Sequence, residues 1–203
     1  MSSTAPLILA SSSARRSELL NNAGFPHRVV PPTVDDAQLN RGRVSPIEWV
    51  QALAHLKLKS VIEALAGQPR SIIIAADTLV VRGEQIFGQP TDHHDAERTI
   101  RALTGRTHHV ITSVALDAAD GLDWITDTAT VTLGDLTEPQ LARYIASDQW
   151  HGKAGAYNLS ERLEDGWPIQ YQGDPATVMG LPMKRLTPIL EHAMFRGRTN
   201  QDQ

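Results

Sequence analysis

The run Ser11-Ser12-Ser13-Ala14-Arg15-Arg16 places three hydroxyl side chains and two guanidinium groups directly after the apolar Leu7-Ile8-Leu9-Ala10. A strand that passes through small hydroxyl residues into a helix aims backbone N–H groups, hydroxyls and forked guanidinium groups at one spot, and phosphate oxygens suit all three donors. Ser11, Ser13, Arg15 and Arg16 are therefore candidate ligands for a phosphorylated substrate. The plainer alternative is a capped helix carrying two solvated arginines. Asp77 follows an isoleucine-rich run from Ser71 and precedes Thr78, which predicts a carboxylate at the C-terminal end of a strand, where α/β folds gather ligands. Such a carboxylate holds a metal or takes a proton from attacking water. Its bland counterpart is a turn aspartate.

Other residues gain meaning only from their surroundings. Lys57 lies along the edge of a predicted apolar helix stripe, where a lysine either snorkels to water or reaches into a cleft. Lys153 stands in Gly152-Lys153-Ala154-Gly155-Ala156-Tyr157, whose small residues admit close approach of a ligand or make a tight turn. The spacing is not that of a Walker loop. Asp35 and Asp36 form a loop pair, one of which could face the same cleft. The histidine pairs His93-His94 and His108-His109 point in different directions on either a helix or a strand, so they read as surface or structural residues. Trp49, Trp124, Trp150 and Trp167 read as packing residues.

The elements that must position these groups alternate along the chain. Helical signals begin after Ser13 and end near Gly24. A second helix has serine at the N-cap (Ser45), proline at N1 (Pro46) and glutamate at N3 (Glu48), with Ile47, Val50, Ala54, Leu58, Val61 and Leu65 at helical spacing. Thr78 to Phe87 reads as a hairpin turning at Arg82 and Gly83. Thr91 is placed to cap a helix ending near Gly105. Strands are expected over His109 to Leu116 and Trp124 to Leu133, joined by a turn from Asp117 to Asp123. Thr137, Pro139 and Gln140 repeat the capping pattern, and Pro182 opens a last helix. The pattern predicts one α/β domain over residues 1–203 with a mixed sheet, its core from about 7 to 195 and a polar tail from 196 to 203.

Composition narrows the function classes. The chain has 203 residues, 41% hydrophobic and 21% charged, a globular balance. With no cysteine there is no disulfide, thiolate metal site or thiol nucleophile. No apolar run nears the ~18–20 residues of a membrane span, and Met1 to Pro6 lacks the features of a signal peptide; a cytoplasmic location is expected. A net charge of −4 argues against a nucleic-acid polymer as partner. A small polyanion needs only a local basic pocket, with a divalent ion neutralising the rest.

Taken together, the segments are similar in order and spacing to the Maf family, proteins named for septum-formation inhibition and described as nucleotide pyrophosphatases. The resemblance runs from Leu7 to about Leu190. It is carried by Leu9-Ala10-Ser11-Ser12-Ser13-Ala14-Arg15-Arg16-Ser17-Glu18-Leu19-Leu20, Val34-Asp35-Asp36, Lys57, Ala76-Asp77-Thr78, Leu103-Thr104-Gly105 with His109-Val110-Ile111-Thr112, Lys153-Ala154-Gly155-Ala156-Tyr157, and Gly173-Asp174-Pro175 with Val178-Met179-Gly180-Leu181-Pro182. It implies an elongated, twisted mixed sheet flanked by helices around a central cleft, like that of inosine triphosphate pyrophosphatases. It also implies hydrolysis of a nucleoside triphosphate, dTTP, UTP or a modified nucleotide such as 7-methyl-GTP, to monophosphate and pyrophosphate with Mg²⁺ or Mn²⁺, and a possible homodimer. On the same resemblance Ser11, Ser13, Arg15 and Arg16 grip the triphosphate, Lys57 and Lys153 add positive charge, Asp77 is the general base, and Asp36 joins Asp77 near the metal. Arg15, Lys57 and Asp77 are then the catalytic set.

Three positions depart from the family pattern. Ala14 replaces the usual proline before the arginines. Gln89, in Gly88-Gln89-Pro90, stands where lysine is typical and removes a positive charge from the phosphate site. Ser160, followed by Glu161, occupies a position usually held by glutamine or glutamate in a region that separates base preferences, so both are candidate substrate contacts and the base stays unassigned. A nucleotide-binding regulator of cell division with little turnover is the alternative that Gln89 keeps open, and a triphosphatase releasing orthophosphate is a third.

Overall fold

The computed structural model describes residues 6–34 and 39–199, with side chains as far as Phe195. Its elements are β1 (Leu7–Ala10), α1 (Ala14–Asn22), β2 (His27–Val29), α2 (Pro46–Ala64), β3 (Ile72–Arg82), β4 (Gln85–Phe87), α3 (His93–Leu103), β5 (Arg106–Ala118), β6 (Gly121–Leu133), α4 (Glu138–Ala146), α5 (Leu159–Glu164), β7 (Ile169–Gln172), α6 (Pro175–Met179) and α7 (Met183–Thr199). A 3₁₀ turn, Ala154–Ala156, lies between α4 and α5. The strands form one mixed sheet in the order β2-β1-β3-β5-β6-β7, with β4 paired to β3. β1 runs parallel to β2 and β3, and the other pairs are antiparallel.

β3 is buried along nearly its whole length, and its alternation assigns residues to two faces. Ile73 and Ala75 pack with Ala54, Leu58 and Val61 of α2 on one face. Ile72, Ile74 and Ala76 pack with Leu20 of α1 and with Leu186 and Leu190 of α7 on the other. Toward its C-terminal end, Val80 joins a second core with Ile100 of α3, Tyr144 of α4 and Trp150, while Leu79 and Val81 pack with Val50 of α2. The helix α2 reaches both ends because it is 19 residues long, and its capping box fixes its start, Ser45 accepting from the Glu48 N–H while the Glu48 carboxylate accepts from the Ser45 N–H.

The register creates the cleft. β1 accompanies β3 only from Ile72 to Ala75, and β4 covers it only from Val80 to Arg82. On that side Ala76 to Leu79 lie in a gap between two strand neighbours, while on the other side each is paired to β5. This corrects the expectation that Asp77 ends its strand. Asp77 sits in the middle of an unbroken eleven-residue strand, and what ends nearby is its neighbour β1.

Other boundaries shift for local reasons. Asp92, not Thr91, caps α3 by accepting from the Asp95 N–H. The β5–β6 turn is two residues, because Ala118 pairs with Gly121, rather than a loop from Asp117 to Asp123. Trp150 and Trp167 are core residues as expected, whereas Trp124 is 38% exposed.

Candidate functional site

Loop and strand ends converge on the gap beside β3. The cleft is lined by Ser13, Arg15 and Arg16 from the start of α1, Lys57 from α2, Asp77 and Thr78 from β3, and Gln89. Its far wall comes from Gly152, Ala154, Tyr157, Asn158, Val178, Met179 and Gly180. A second hollow, lined by Trp49, Leu53, Ile86 and Pro90 among others, continues from it across Asp77, Thr78 and Gln89. Asp77 therefore lies near the middle of an elongated groove.

Because neighbouring residues of a strand face opposite ways, Asp77 and Thr78 serve different partners across the gap. Lys57 Nζ lies 2.5 Å from Asp77 Oδ1, with side chains 13% and 10% exposed. On the opposite face Thr78 Oγ1 accepts from Arg16 Nη2 at 3.1 Å. Arg16 is fixed at two further points, donating from Nε to the Gly180 carbonyl (2.9 Å) and from Nη1 to Ser11 Oγ (3.2 Å). Gly180 has φ +109°, and a Cβ there would lie 3.0 Å from Arg16 Nε, so glycine is required both for the backbone and for the approach of the guanidinium.

The hydroxyl chain behind Arg16 has a fixed direction. Thr112 Oγ1 donates its single hydrogen to the Thr177 carbonyl at 2.7 Å, so the 2.9 Å contact between Thr78 and Thr112 must be donated by Thr78. The remaining acceptor capacity of Thr78 is then turned to Arg16. None of Thr78, Thr112 or Gly180 is signalled as a site residue by residue type alone, since hydroxyls and glycines are common and only the fold brings these together.

Among the described residues, the predicted site residues either line the cleft or stand behind it. Ser13, Arg15, Arg16, Lys57, Gln89 and Asp77 share the cleft. Ser13 is the N-cap of α1 without a side-chain cap bond, and the first turn carries no acidic residue, so a positively polarised helix end opens on the cleft. Arg15 donates to the Gly152 carbonyl at 2.8 Å. Burial is the main influence lowering its pKa, with Glu161 and Tyr144 opposing the shift; the guanidinium stays cationic. Ser11 is buried and holds Arg16 and the Ser13 N–H rather than lining the groove. Lys153, Ser160 and Glu161 stand behind the wall. Lys153 pairs with Glu161, and its pKa is lowered chiefly by burial, with Glu161 opposing. Ser160 donates to Asn158. Asp36 lies outside the described residues.

Among the described residues no cluster of three or more His, Asp or Glu side chains is arranged to hold a metal. The donor set nonetheless fits a magnesium-like ion brought by a polyphosphate, since that ion usually takes one or two carboxylates and completes its shell with water and phosphate oxygens. Three cations around one carboxylate, in a groove open at a helix N-terminus, suit a substrate with several negative charges and a bond to be attacked by water.

Comparisons with known proteins agree with this chemistry. A family model described as Maf-like protein matches residues 6–193. A protein of Koribacter versatilis (strain Ellin345) named dTTP/UTP pyrophosphatase is 36% identical over 187 residues, covering 92% of this chain and 94% of the relative. A protein of Geobacillus sp. (strain WCH70) with the same name is 37% identical over 179 residues, covering 88% and 93%. One of Hyphomonas neptunium (strain ATCC 15444), also so named, is 35% identical over 198 residues, covering 97% and 100%. Among solved structures, the Staphylococcus aureus Ham1 protein is similar with a TM-score of 0.42 and 15% identity over 64% of this chain and 72% of that one. That likeness is too loose to carry an argument.

Proposed function

This chain belongs to the Maf-like family, and from that premise we propose that it hydrolyses a nucleoside triphosphate to the monophosphate and pyrophosphate. The observation that carries the reading is the meeting of Arg15, Arg16, Lys57 and Asp77 in one groove, together with relatives named dTTP/UTP pyrophosphatase that align over nearly their whole lengths.

In this reading Arg15, Arg16 and the first turn of α1 bind the phosphate chain, and Lys57 adds charge beside it. Asp77 accepts a proton from water as its oxygen attacks the α-phosphorus. The new P–O bond forms while the bond from the α-phosphorus to the bridging oxygen breaks, and pyrophosphate leaves with that electron pair. Asp77, with Asp36, would hold a Mg²⁺ or Mn²⁺ ion, which when bound offsets phosphate charge and favours ionisation of water. Lys57 keeps Asp77 directed across the cleft before substrate enters. The same reading makes the protein a cytoplasmic homodimer; no helix among the described residues is long and apolar enough to cross a membrane.

The test is a panel of canonical, methylated and deaminated triphosphates assayed with and without Mg²⁺ or Mn²⁺, with products identified by phosphorus NMR. Pyrophosphate and monophosphate, formed only with metal, are expected. Orthophosphate and diphosphate would replace the reading by a triphosphatase, and tight binding with no product by a nucleotide-binding regulator.

A further inference from the structure

The far wall of the cleft is apolar where the phosphate-binding groups end. Ala154, Tyr157, Val178 and Met179 line it, and the Tyr157 hydroxyl is turned away to His108 Nε2 at 2.7 Å. The one side-chain amide in that wall is Asn158, which is 7% exposed. An apolar wall with a single placed polar group is the usual makeup of a site for a flat organic ring.

The orientation of the Asn158 amide is determined by its neighbours. Oδ1 faces the Ser160 backbone N–H at 3.0 Å, a group that can only donate, and it also accepts from Ser160 Oγ at 3.0 Å. Nδ2 faces Glu161 Oε1 at 2.9 Å, and the other oxygen of that carboxylate is occupied by the Lys153 ammonium. A carboxylate can only accept, so the amide cannot be flipped without setting oxygen against oxygen and N–H against N–H. Both acceptor sites of Oδ1 are therefore used. Nδ2 has two hydrogens; Glu161 takes one, and no side chain or carbonyl among the described residues takes the second. What Asn158 offers a ligand in the groove is a donor and no acceptor.

We infer that Asn158 is a specificity-determining residue that reads the base, donating its second Nδ2 hydrogen to the carbonyl at C4 of a pyrimidine and so selecting uracil or thymine over cytosine, which carries an amine there. The inference rests on the nucleoside triphosphate reading of the cleft. An exocyclic amine in the same place sets donor against donor, leaving both buried and unsatisfied. It also gives Lys153, Ser160 and Glu161 a common role as the frame that fixes the amide. Lys153 holds Glu161, Glu161 fixes Nδ2, and Ser160 fixes Oδ1.

UTP and CTP differ only at C4 and in the hydrogen on the adjacent N3, and give the cleanest test. Wild type should turn over UTP with a kcat/KM roughly 10- to 100-fold above that for CTP. Asn158 also caps α5, so Asn158→Ser, which keeps a capping oxygen, is paired with Asn158→Ala. Both should bring the UTP/CTP ratio close to one, an effect that loss of the cap alone would not produce because it weakens both substrates alike. Equal turnover of UTP and CTP by wild type, or a ratio unchanged in the two variants, overturns the inference while leaving the pyrophosphatase reading intact. If wild type hydrolyses another triphosphate of the panel but neither UTP nor CTP, the pyrophosphatase reading stands and the inference is overturned. If it hydrolyses none of the panel, the pyrophosphatase reading fails, and the inference is decided by calorimetric titration with the α,β-imido analogues of UTP and CTP. Preferential binding of the uridine analogue that is lost in Asn158→Ser sustains it; equal binding, or none, ends it.

Discussion

Lys57 of α2 and Asp77 of β3 form an ion pair of 2.5 Å at the middle of the groove, with both side chains largely screened from water. The pair joins the helix packed along one face of β3 to the strand residue left uncovered between β1 and β4. Its members should separate kinetically. Asp77→Asn keeps the size of the side chain and removes a proton acceptor, so kcat should fall by about 10²- to 10⁴-fold. Lys57→Met removes charge that attracts phosphate and should raise KM for the triphosphate more than it lowers kcat. Steady-state release of pyrophosphate measures both effects, with circular dichroism melting to verify folding. A pair of variants with equal effects on kcat and none on KM would count against this division of labour.

The chain from Arg16 through Thr78 and Thr112 to the Thr177 carbonyl predicts an effect at a residue outside the cleft lining. Thr112 is fully buried. Thr112→Val removes the acceptor that fixes the Thr78 hydroxyl, so that hydroxyl can rotate and no longer holds the phosphate-binding guanidinium of Arg16 in one place. A misplacement of this kind costs on the order of 10-fold in kcat/KM, short of the ~10²-fold that a full ångström can cost. Thr112→Ser, which retains the hydroxyl, should restore most of the activity. Valine and serine variants with the same kinetics would show that only packing at this position matters.

His108 couples the second core to acidity. It is 1% exposed, its Nε2 meets the Tyr157 hydroxyl, and its Nδ1 has no hydrogen-bond partner among the described residues. Burial, with smaller contributions from His109 and Arg82, pushes its pKa down to about 4 from an ordinary 6.5. Between these values the unfolded chain binds a proton that the folded chain refuses, so stability rises with pH. The contribution is fully present above pH ~6.5 and is lost as pH falls toward 4, amounting to about 3 kcal/mol. Urea unfolding from pH 4 to 7.5 should show this slope in wild type and a flatter one in His108→Gln. Parallel slopes would remove His108 as the source.

How much of this could be read from the chain alone depended on whether the determinant was local. The capping boxes at Ser45 and Thr137 involve residues three apart, and both are present as expected. The strands β2 and β7 and the helices α5 and α6 have only three to six residues each, too few for a hydrophobic period to show. Asp77 was legible as a chemical group but not as a mid-strand residue, because its exposure to the cleft is created by where β1 stops. Arg15, Arg16 and Lys57 stood out by charge. Asn158 did not, since its meaning comes from the hydrogen bonds of Ser160 and Glu161, which only the turn into α5 assembles. Ser160, followed by Glu161, departs from the family pattern in the sequence, and the structure sets both one layer behind the groove.

Gln89 remains the position where this chain carries less charge than its family pattern implies. It lines both parts of the groove, next to Asp77 and Thr78. Its loop is held at the neighbouring residue, where the Gly155 N–H donates to the Gly88 carbonyl at 3.0 Å. Gly155 in turn packs directly on β3, where a Cβ would lie 2.6 Å from Val80 Cγ2. A lysine side chain has the reach and flexibility to extend from this anchored loop toward bound phosphates without moving the backbone. Gln89→Lys should therefore lower KM for the triphosphate several-fold at low ionic strength, where added charge is least screened, and the gain should shrink as salt shortens the Debye length from about 30 Å at 0.01 M to about 8 Å at 0.15 M. If KM in the variant is unchanged at both ionic strengths, the phosphates do not pass Gln89.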